Sequence, residues 1–298
     1  MNNKTFRSRK FAAFLTGGIA LIICAVVFTI NFDAIFRPSK LPQSAPADFV
    51  EVIDVGQGDS ILISSQGTTA LIDTGLYSEY HSVAETLSKH NISKIDVLLI
   101  SHLHDDHAGA LGVLSEIYTI SNLILPEVSI ESESLGVAEL AIDRVVESGG
   151  DVHTAKQGMN FNIGKFELTI LAAFDRMRDE NNRSLITMAE IDGKKFLFTG
   201  DIEKEAEAAL LKEDLNIECD VLKVSHHGSS TSSTIDFLKA CSPEMAVISV
   251  GADNSYGHPH NEILALFEKC GYKIYRTDLM GNIIFTVKNK MITVRESK

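Results

Sequence analysis

Seven consecutive residues, Ser101-His102-Leu103-His104-Asp105-Asp106-His107, concentrate three imidazoles and two carboxylates in six positions. Ionisable groups this dense are costly to bury without partners, and clusters of them mark functional sites. The run follows an apolar stretch, Val97-Leu98-Leu99-Ile100, and precedes Ala108-Gly109-Ala110-Leu111, so it sits where a buried strand ends and a helix begins. His102 and His104 are two apart, and an extended backbone aims both rings to one side. Past a turn, Asp106 and His107 face a neighbouring position. Imidazole with carboxylate is a ligand set suited to zinc, manganese or iron.

The elements that must hold these residues are short and mixed. β-rich runs fall at 49–55, 60–64, 69–73, 96–100, 122–125, 166–172, 184–191, 195–199, 219–225, 245–250, 273–276 and 282–287. Asp192-Gly193 between two of them is a two-residue hairpin signal. Helical patterns fit 79–90, 108–116, 134–148, 203–213, 233–240 and 261–270, with Ser232 or Ser233 placed to cap the fifth. Strands in consecutive groups with helices between them predict two sheets with helices on their outer faces, a layered α/β architecture.

The HxHxDH arrangement at 102–107 is similar to the signature of the metallo-β-lactamase fold, and other segments follow in that family's order. Leu71-Ile72-Asp73-Thr74-Gly75 and Phe196-Leu197-Phe198-Thr199-Gly200-Asp201 each place an aspartate after a strand, and Val221-Leu222-Lys223-Val224-Ser225-His226-His227-Gly228-Ser229 places histidines after another. The resemblance implies a four-layer αββα sandwich holding two divalent ions, zinc or manganese. His102, His104, Asp106 and His107 would be ligands, with Asp201 bridging the two ions and Asp73 orienting ligands without coordinating. One of His226 and His227 would complete the set, and the sequence leaves open which. The family places a further metal-binding histidine before the bridging aspartate. Here the only histidine between Ala108 and Asp201 is His153, which reads as structural. Asn181-Asn182-Arg183-Ser184-Leu185 stands in that place, with Asn182 and Ser184 expected beside the site. The first metal position is therefore expected to be weaker, or to take a harder ion such as manganese.

Asp54-Val55-Gly56-Gln57-Gly58-Asp59-Ser60, Asn181-Asn182-Arg183-Ser184, His226-His227-Gly228-Ser229 and Tyr256-Gly257-His258-Pro259-His260 together resemble the hydrolase domain of the competence protein ComEC, over residues 49–287. That resemblance implies a metal-dependent nuclease domain that degrades the strand not taken up during DNA import. The many membrane helices of the DNA channel are not in this sequence, so the hydrolase chemistry alone is carried over. The residues themselves suggest supporting roles. Gln57 and Asp59 are placed to line the cleft, His258 to protonate a leaving group, and His260 to contact substrate. Ser229, Ser230 and Thr231, ahead of a helix, offer backbone N–H groups to an anion.

Residues 11–30, FAAFLTGGIALIICAVVFTI, are uncharged and follow Lys4, Arg7, Arg9 and Lys10. About twenty such residues in a helix span a bilayer core, and the basic side stays in the cytoplasm. This predicts a cytoplasmic segment at 1–10, a single-pass anchor at 11–30, a linker at 31–47 and an extracytoplasmic domain at 48–298. Setting aside residues 1–37, with five basic residues and one acidic, leaves 22 Lys and Arg against 39 Asp and Glu, a net charge of −17. Bulk electrostatics of that sign exclude ordinary nucleic-acid binding, so an anionic substrate must be held locally, by metal ions or a small basic patch. Cys219, Cys241 and Cys270 are widely spaced and read as thiols. The whole predicts a membrane-anchored phosphodiesterase acting on an anionic ester, DNA foremost, through Asp106, Asp201 and His258, with no obvious protein partner. The alternatives are hydrolysis of another ester (a phosphorylcholine ester, a lactone or a β-lactam) and a non-catalytic metal-binding ectodomain.

Overall fold

The structure is a computed structural model that describes residues 47–127 and 134–298. The apolar run 11–30 expected to cross the membrane lies outside the described residues, as do the segment 1–10 and most of the linker. Among the described residues no helix is long and apolar enough to span a bilayer.

Among the described residues fifteen strands form two mixed sheets. The first contains β1 (Phe49–Val52), β2 (Ile61–Ser65), β3 (Thr68–Ile72), β4 (Lys94–Leu99), β5 (Thr119–Leu125), β6 (Asp151–Thr154), β14 (Ile283–Lys288) and β15 (Met291–Glu296), in the order β15-β14-β1-β2-β3-β4-β5-β6. The second contains β7 (Asn160–Ile163), β8 (Phe166–Ala172), β9 (Ile186–Ile191), β10 (Lys194–Phe198), β11 (Val221–Lys223), β12 (Met245–Ile248) and β13 (Lys273–Arg276), in the order β13-β12-β11-β10-β9-β8-β7. β3 to β6 run parallel in one sheet, and β10 to β13 in the other. The Asp192-Gly193 turn joins β9 to β10 with both residues at positive φ, 52° and 76°, which matches the right-handed twist of its strands.

Alternation along the strands sorts the side chains into layers. Val97 and Leu99 of β4 enter the cluster between the sheets with Ile61, Phe166, Phe196 and Phe285, while Leu98 faces the other way. Phe196 sits at the centre of that cluster, edge-on to Phe166 and to Phe285 at ring distances of 6.3 and 6.0 Å. On the outer face of the first sheet lie α1 (Tyr80–Lys89), α3 (Leu111–Ile117) and α4 (Leu135–Glu147), which bury Val83, Leu87, Leu114 and Val145 against Leu71 and Leu98. The one-turn α2 (Asp105–Ala108) carries part of the His- and Asp-rich run. On the outer face of the second sheet, α5 (Lys204–Leu210), α6 (Ile235–Cys241) and α7 (Asn261–Cys270) bury Leu210, Phe237 and Phe267 against Leu197 and Leu222. A last turn, α8 (Thr277–Met280), leads into β14. Helices, sheet, sheet and helices make the expected four layers. The loops after β3, β4, β10 and β11 leave the carboxyl ends of parallel strands, where open α/β sheets place their sites.

Candidate metal centre

Asp73 follows β3 with φ +61°, and its carboxylate organises the loop after β4. It accepts hydrogen bonds from the Ser101 N–H at 2.6 Å and the Ser101 hydroxyl at 2.7 Å, and its Oδ2 lies 2.9 Å from His107 Nδ1. With Nδ1 held, His107 presents Nε2 to the centre. His227 is held in the same way: its Nδ1 donates to the Ser249 carbonyl at 2.9 Å, which frees its Nε2. Between the two rings stand Asp106 and Asp201. His107 Nε2 is 3.3 Å from Asp201 Oδ1, and His227 Nε2 is 3.3 Å from Asp201 Oδ2 and 3.4 Å from Asp106 Oδ2.

These contacts are ones of proximity. His107 Nε2, His227 Nε2 and Asp201 Oδ1 are buried without an aligned hydrogen bond. Buried polar atoms left in that state are costly, and one explanation is an ion that they would share. Ligand atoms from Asp106, His107, Asp201 and His227 all lie within 4.8 Å of one another, which fits one divalent cation. Electrostatics agree. Burial opposes the His107 imidazolium, but Asp201, Asp106 and Asp73 outweigh it and hold its pKa well above the ordinary value. Burial opposes charge on His227 too, yet Asp201, Asp106 and Asp59 push it up to about 10. Burial would raise the Asp201 and Asp106 carboxyls, and the two imidazoliums instead bring both below the carboxylate range.

The structure separates the adjacent histidines. His226 turns aside, with Nδ1 3.2 Å from Glu203 Oε1 and Nε2 3.8 Å from Asp201 Oδ2, so it walls the cleft outside the four-residue set. His102 is buried beside His104, with its Nε2 3.2 Å from His104 Nδ1 and its Nδ1 near the hydroxyls of Ser101 and Ser184. Burial, reinforced by His107, keeps His102 neutral. His153 pairs with Ile124 at the edge of the first sheet, away from the centre.

Several supporting roles change. Gln57 lines the cleft, but Asp59 lies beneath it, in a buried ion pair with Lys223 Nζ at 2.8 Å. Asn182 is buried, and its Oδ1 accepts from the N–H groups of Glu203 at 2.9 Å and Ala206 at 3.3 Å; it caps α5. Ser184 does sit at the site, with its hydroxyl accepting from the Asp201 N–H at 3.0 Å. No anion cradle forms at 229–231. The Ser229 N–H donates to the His226 carbonyl, that of Ser230 to His260 Nδ1, and that of Thr231 to the Ser229 hydroxyl. His260 is therefore a loop tie. Thr234, not Ser232 or Ser233, caps α6. His258 lines the cleft, but burial and then His227 and His226 hold it down to about 4, so it is neutral at pH 7 and has no proton to give as an imidazolium.

A cleft of about 460 Å3 opens over the centre, with Gln57, Leu76, Asn181, Tyr256 and His258 among its walls. Sequence reasoning passed over Asn181, Tyr256 and Lys223. For Lys223 a signal existed: a lysine inside the apolar strand Val221-Leu222-Lys223-Val224 must find a buried anion.

A profile of the metallo-beta-lactamase superfamily matches residues 53–251. This chain belongs to the metallo-β-lactamase superfamily. The fold of that superfamily generally supports metal-dependent hydrolysis. ComE operon protein 3 of Bacillus subtilis is 30% identical across 94% of this chain and 37% of its own length. Competence protein ComA of Neisseria gonorrhoeae is 31% identical across 91% of this chain and 36% of its own length. The chain thus spans about a third of these relatives. Endoribonuclease ysh1 of Schizosaccharomyces pombe is 24% identical over 55% of this chain and 24% of its own length. Among solved structures, the metallo-beta-lactamase fold protein YhfI of Bacillus subtilis aligns with a TM-score of 0.52 at 10% identity, covering 83% of this chain and 99% of that one. CmlA, a diiron beta-hydroxylase from Streptomyces venezuelae, aligns with a TM-score of 0.52 at 14% identity, over 83% and 55%. At such identities the likeness is one of fold.

Proposed function

We propose that this superfamily member is a phosphodiesterase, with DNA its leading substrate, anchored by residues 11–30 and active outside the cytoplasm. The observation that carries the chemistry is the Asp106–His107–Asp201–His227 set with its unpartnered ligand atoms at the floor of an open cleft. Bound there, divalent ions would supply hydroxide at neutral pH and neutralise charge developing on phosphoryl oxygens. The chain's own residues do the rest. Asp201 and Asp106 stay ionised at neutral pH, and Asp106, with a quarter of its side chain exposed, is open to accept a hydrogen bond that orients an attacking water. Neutral His258 can hydrogen-bond a substrate oxygen. Tyr256, 64% exposed, stacks on His258 at the rim and offers an aromatic face for a base.

The names of the relatives support the substrate class: one is a competence protein and one is an endoribonuclease. A domain of net charge −17 gives no diffuse hold on a phosphate backbone, which places recognition at the ions and the rim. The test is release of nucleotides from single- and double-stranded DNA by the purified protein with manganese or zinc, and its loss in His104→Ala. Cleavage of chromogenic lactones, β-lactams or phosphorylcholine esters with DNA left intact would replace this reading with hydrolysis of another ester.

A further inference from the structure

The turn 181–185 has two sides. On one, Ser184 touches the metal centre: its hydroxyl accepts from the Asp201 N–H at 3.0 Å and lies 3.2 Å from His102 Nδ1. Its chain neighbours, Arg183 and Leu185, line a separate cavity of about 270 Å3. Consecutive Cα atoms are about 3.8 Å apart, so this cavity begins one residue from the centre. The Leu185 N–H donates to the Ser101 carbonyl at 2.9 Å, which fixes that wall to the loop after β4. The other walls come from the segments after β5, β6 and β8, among them Lys156 and Phe174.

Two cations of this cavity have no counter-ion. Among the described residues neither Arg183 nor Lys156 is in an ion pair, whereas Arg144 and Arg276 each hold a carboxylate. Arg183 is half-buried, and it donates from Nε to the Met177 carbonyl at 2.7 Å and from Nη2 to the Arg178 carbonyl at 3.2 Å. A guanidinium carries five N–H donors, so most of the fork is left for a ligand, and its planar shape suits phosphate. Glu127 and Asp175 line the same cavity without closing on either cation. The two signs of charge thus stay apart across a space that a ligand with both kinds of group can bridge. A nucleotide is such a ligand: it offers phosphate to the cations, an exocyclic amine to a carboxylate and a base to an aromatic face. The cavity is smaller than the roughly 300–1,000 Å3 of drug-sized sites, so it admits one nucleotide and no longer stretch.

We propose that this cavity is a nucleotide subsite beside the metal centre, in which Arg183 and Lys156 hold the phosphate next to the scissile one and Phe174 receives the base. Its place along a cleaved strand rests on the phosphodiesterase reading; its affinity for a nucleotide does not. The subsite supplies a small basic contact in a domain of net charge −17, where diffuse attraction to a phosphate backbone is absent. It also gives Arg183 a duty that the metal centre does not use.

The test compares two substrates of the manganese-loaded protein: a single-stranded oligonucleotide, and bis(p-nitrophenyl) phosphate, which has no neighbouring phosphate. In Arg183→Ala and in Lys156→Glu, kcat/KM on the oligonucleotide is expected to fall at least about tenfold further than on the small ester, chiefly through KM. Equal falls on the two substrates, or an unchanged oligonucleotide KM, would overturn the subsite. Binding of deoxyadenosine monophosphate to the metal-free protein, read by saturation-transfer NMR, which detects weak binding, tests it without turnover. Wild type is expected to bind, and Lys156→Glu, a change at an exposed position, to lose the signal. No binding by wild type, or equal binding by the variant, would overturn the proposal. Nucleotide binding of this kind with neither phosphodiester hydrolysed would remove the phosphodiesterase reading and leave the subsite standing.

Discussion

His226 and His227 are neighbours with opposite duties, and the backbone separates them. Both take left-handed φ, 49° and 52°, ahead of Gly228 at 83°; such a run costs about 1–2 kcal/mol per non-glycine residue and swings successive rings to different sides. Sequence could not assign the ligand because nothing in His-His signals that bend. The assignment predicts that His227→Ala lowers metal affinity by about 100-fold or more, whereas His226→Ala keeps metal stoichiometry; metal analysis of the two purified variants checks it. The cluster also predicts a pH dependence. In the metal-free protein His227 has a raised pKa, so its pairing with Asp201 stabilises fully below the ordinary pKa of 6.5 and is lost as pH rises through about 10. Metal must displace those protons, so the rise in Tm produced by added metal should grow from pH 6 to pH 9, as thermal melts with and without metal will show. Beneath the site, Lys223→Met would leave the buried Asp59 carboxylate unpaired and cost about 3–5 kcal/mol by denaturant unfolding, with part of the loss recovered in Lys223→Met/Asp59→Asn.

At the scale of elements, the strands that carry ligands were the legible ones. β4, β10 and β11 each close on a buried apolar stretch, Val97-Leu98-Leu99, Phe196-Leu197-Phe198 and Val221-Leu222, ahead of a loop that carries candidate ligands, and β3 closes on Ala70-Leu71-Ile72 ahead of Asp73. The strands at or beside the sheet edges were harder. β7 (Asn-Phe-Asn-Ile) and β15 (Met-Ile-Thr-Val-Arg-Glu) keep half their positions polar and form because a neighbouring strand pairs with them. Loop architecture was least legible, since it is decided by contacts far apart in sequence. Asp59 donates its N–H to the Asp106 carbonyl, and a Cβ on Gly58 would collide with that same carbonyl, so the loop 53–60 can seat Asp106 only through glycine. Asn182 was expected beside the metal because of its place in the family order; in three dimensions the free N–H groups at the start of α5 take its oxygen. Asn182→Ala should therefore cost about 1 kcal/mol, seen as a lower denaturant midpoint, with bound metal retained.

Over the described residues, two sheets close on an apolar interior and leave the carboxyl ends of their parallel strands to build the centre from four separate loops. That architecture was readable from the grouping of strands and helices, because burial imposes the same alternation on sequence and on structure. With a net charge of −17 in residues 38–298, the proposed function requires cations as the means of holding a polyanion. Metal-free protein should accordingly fail to shift a cleavage-resistant phosphorothioate single-stranded DNA in a gel, with retention appearing on addition of manganese. The most direct test of the whole account is anomalous scattering from crystals of the protein grown with manganese. The account predicts a peak at about 2.0–2.3 Å from Nε2 of both His107 and His227 and from the carboxylates of Asp106 and Asp201. A map with no peak between those four side chains, or a peak bound by His226 with His227 turned away, would contradict it.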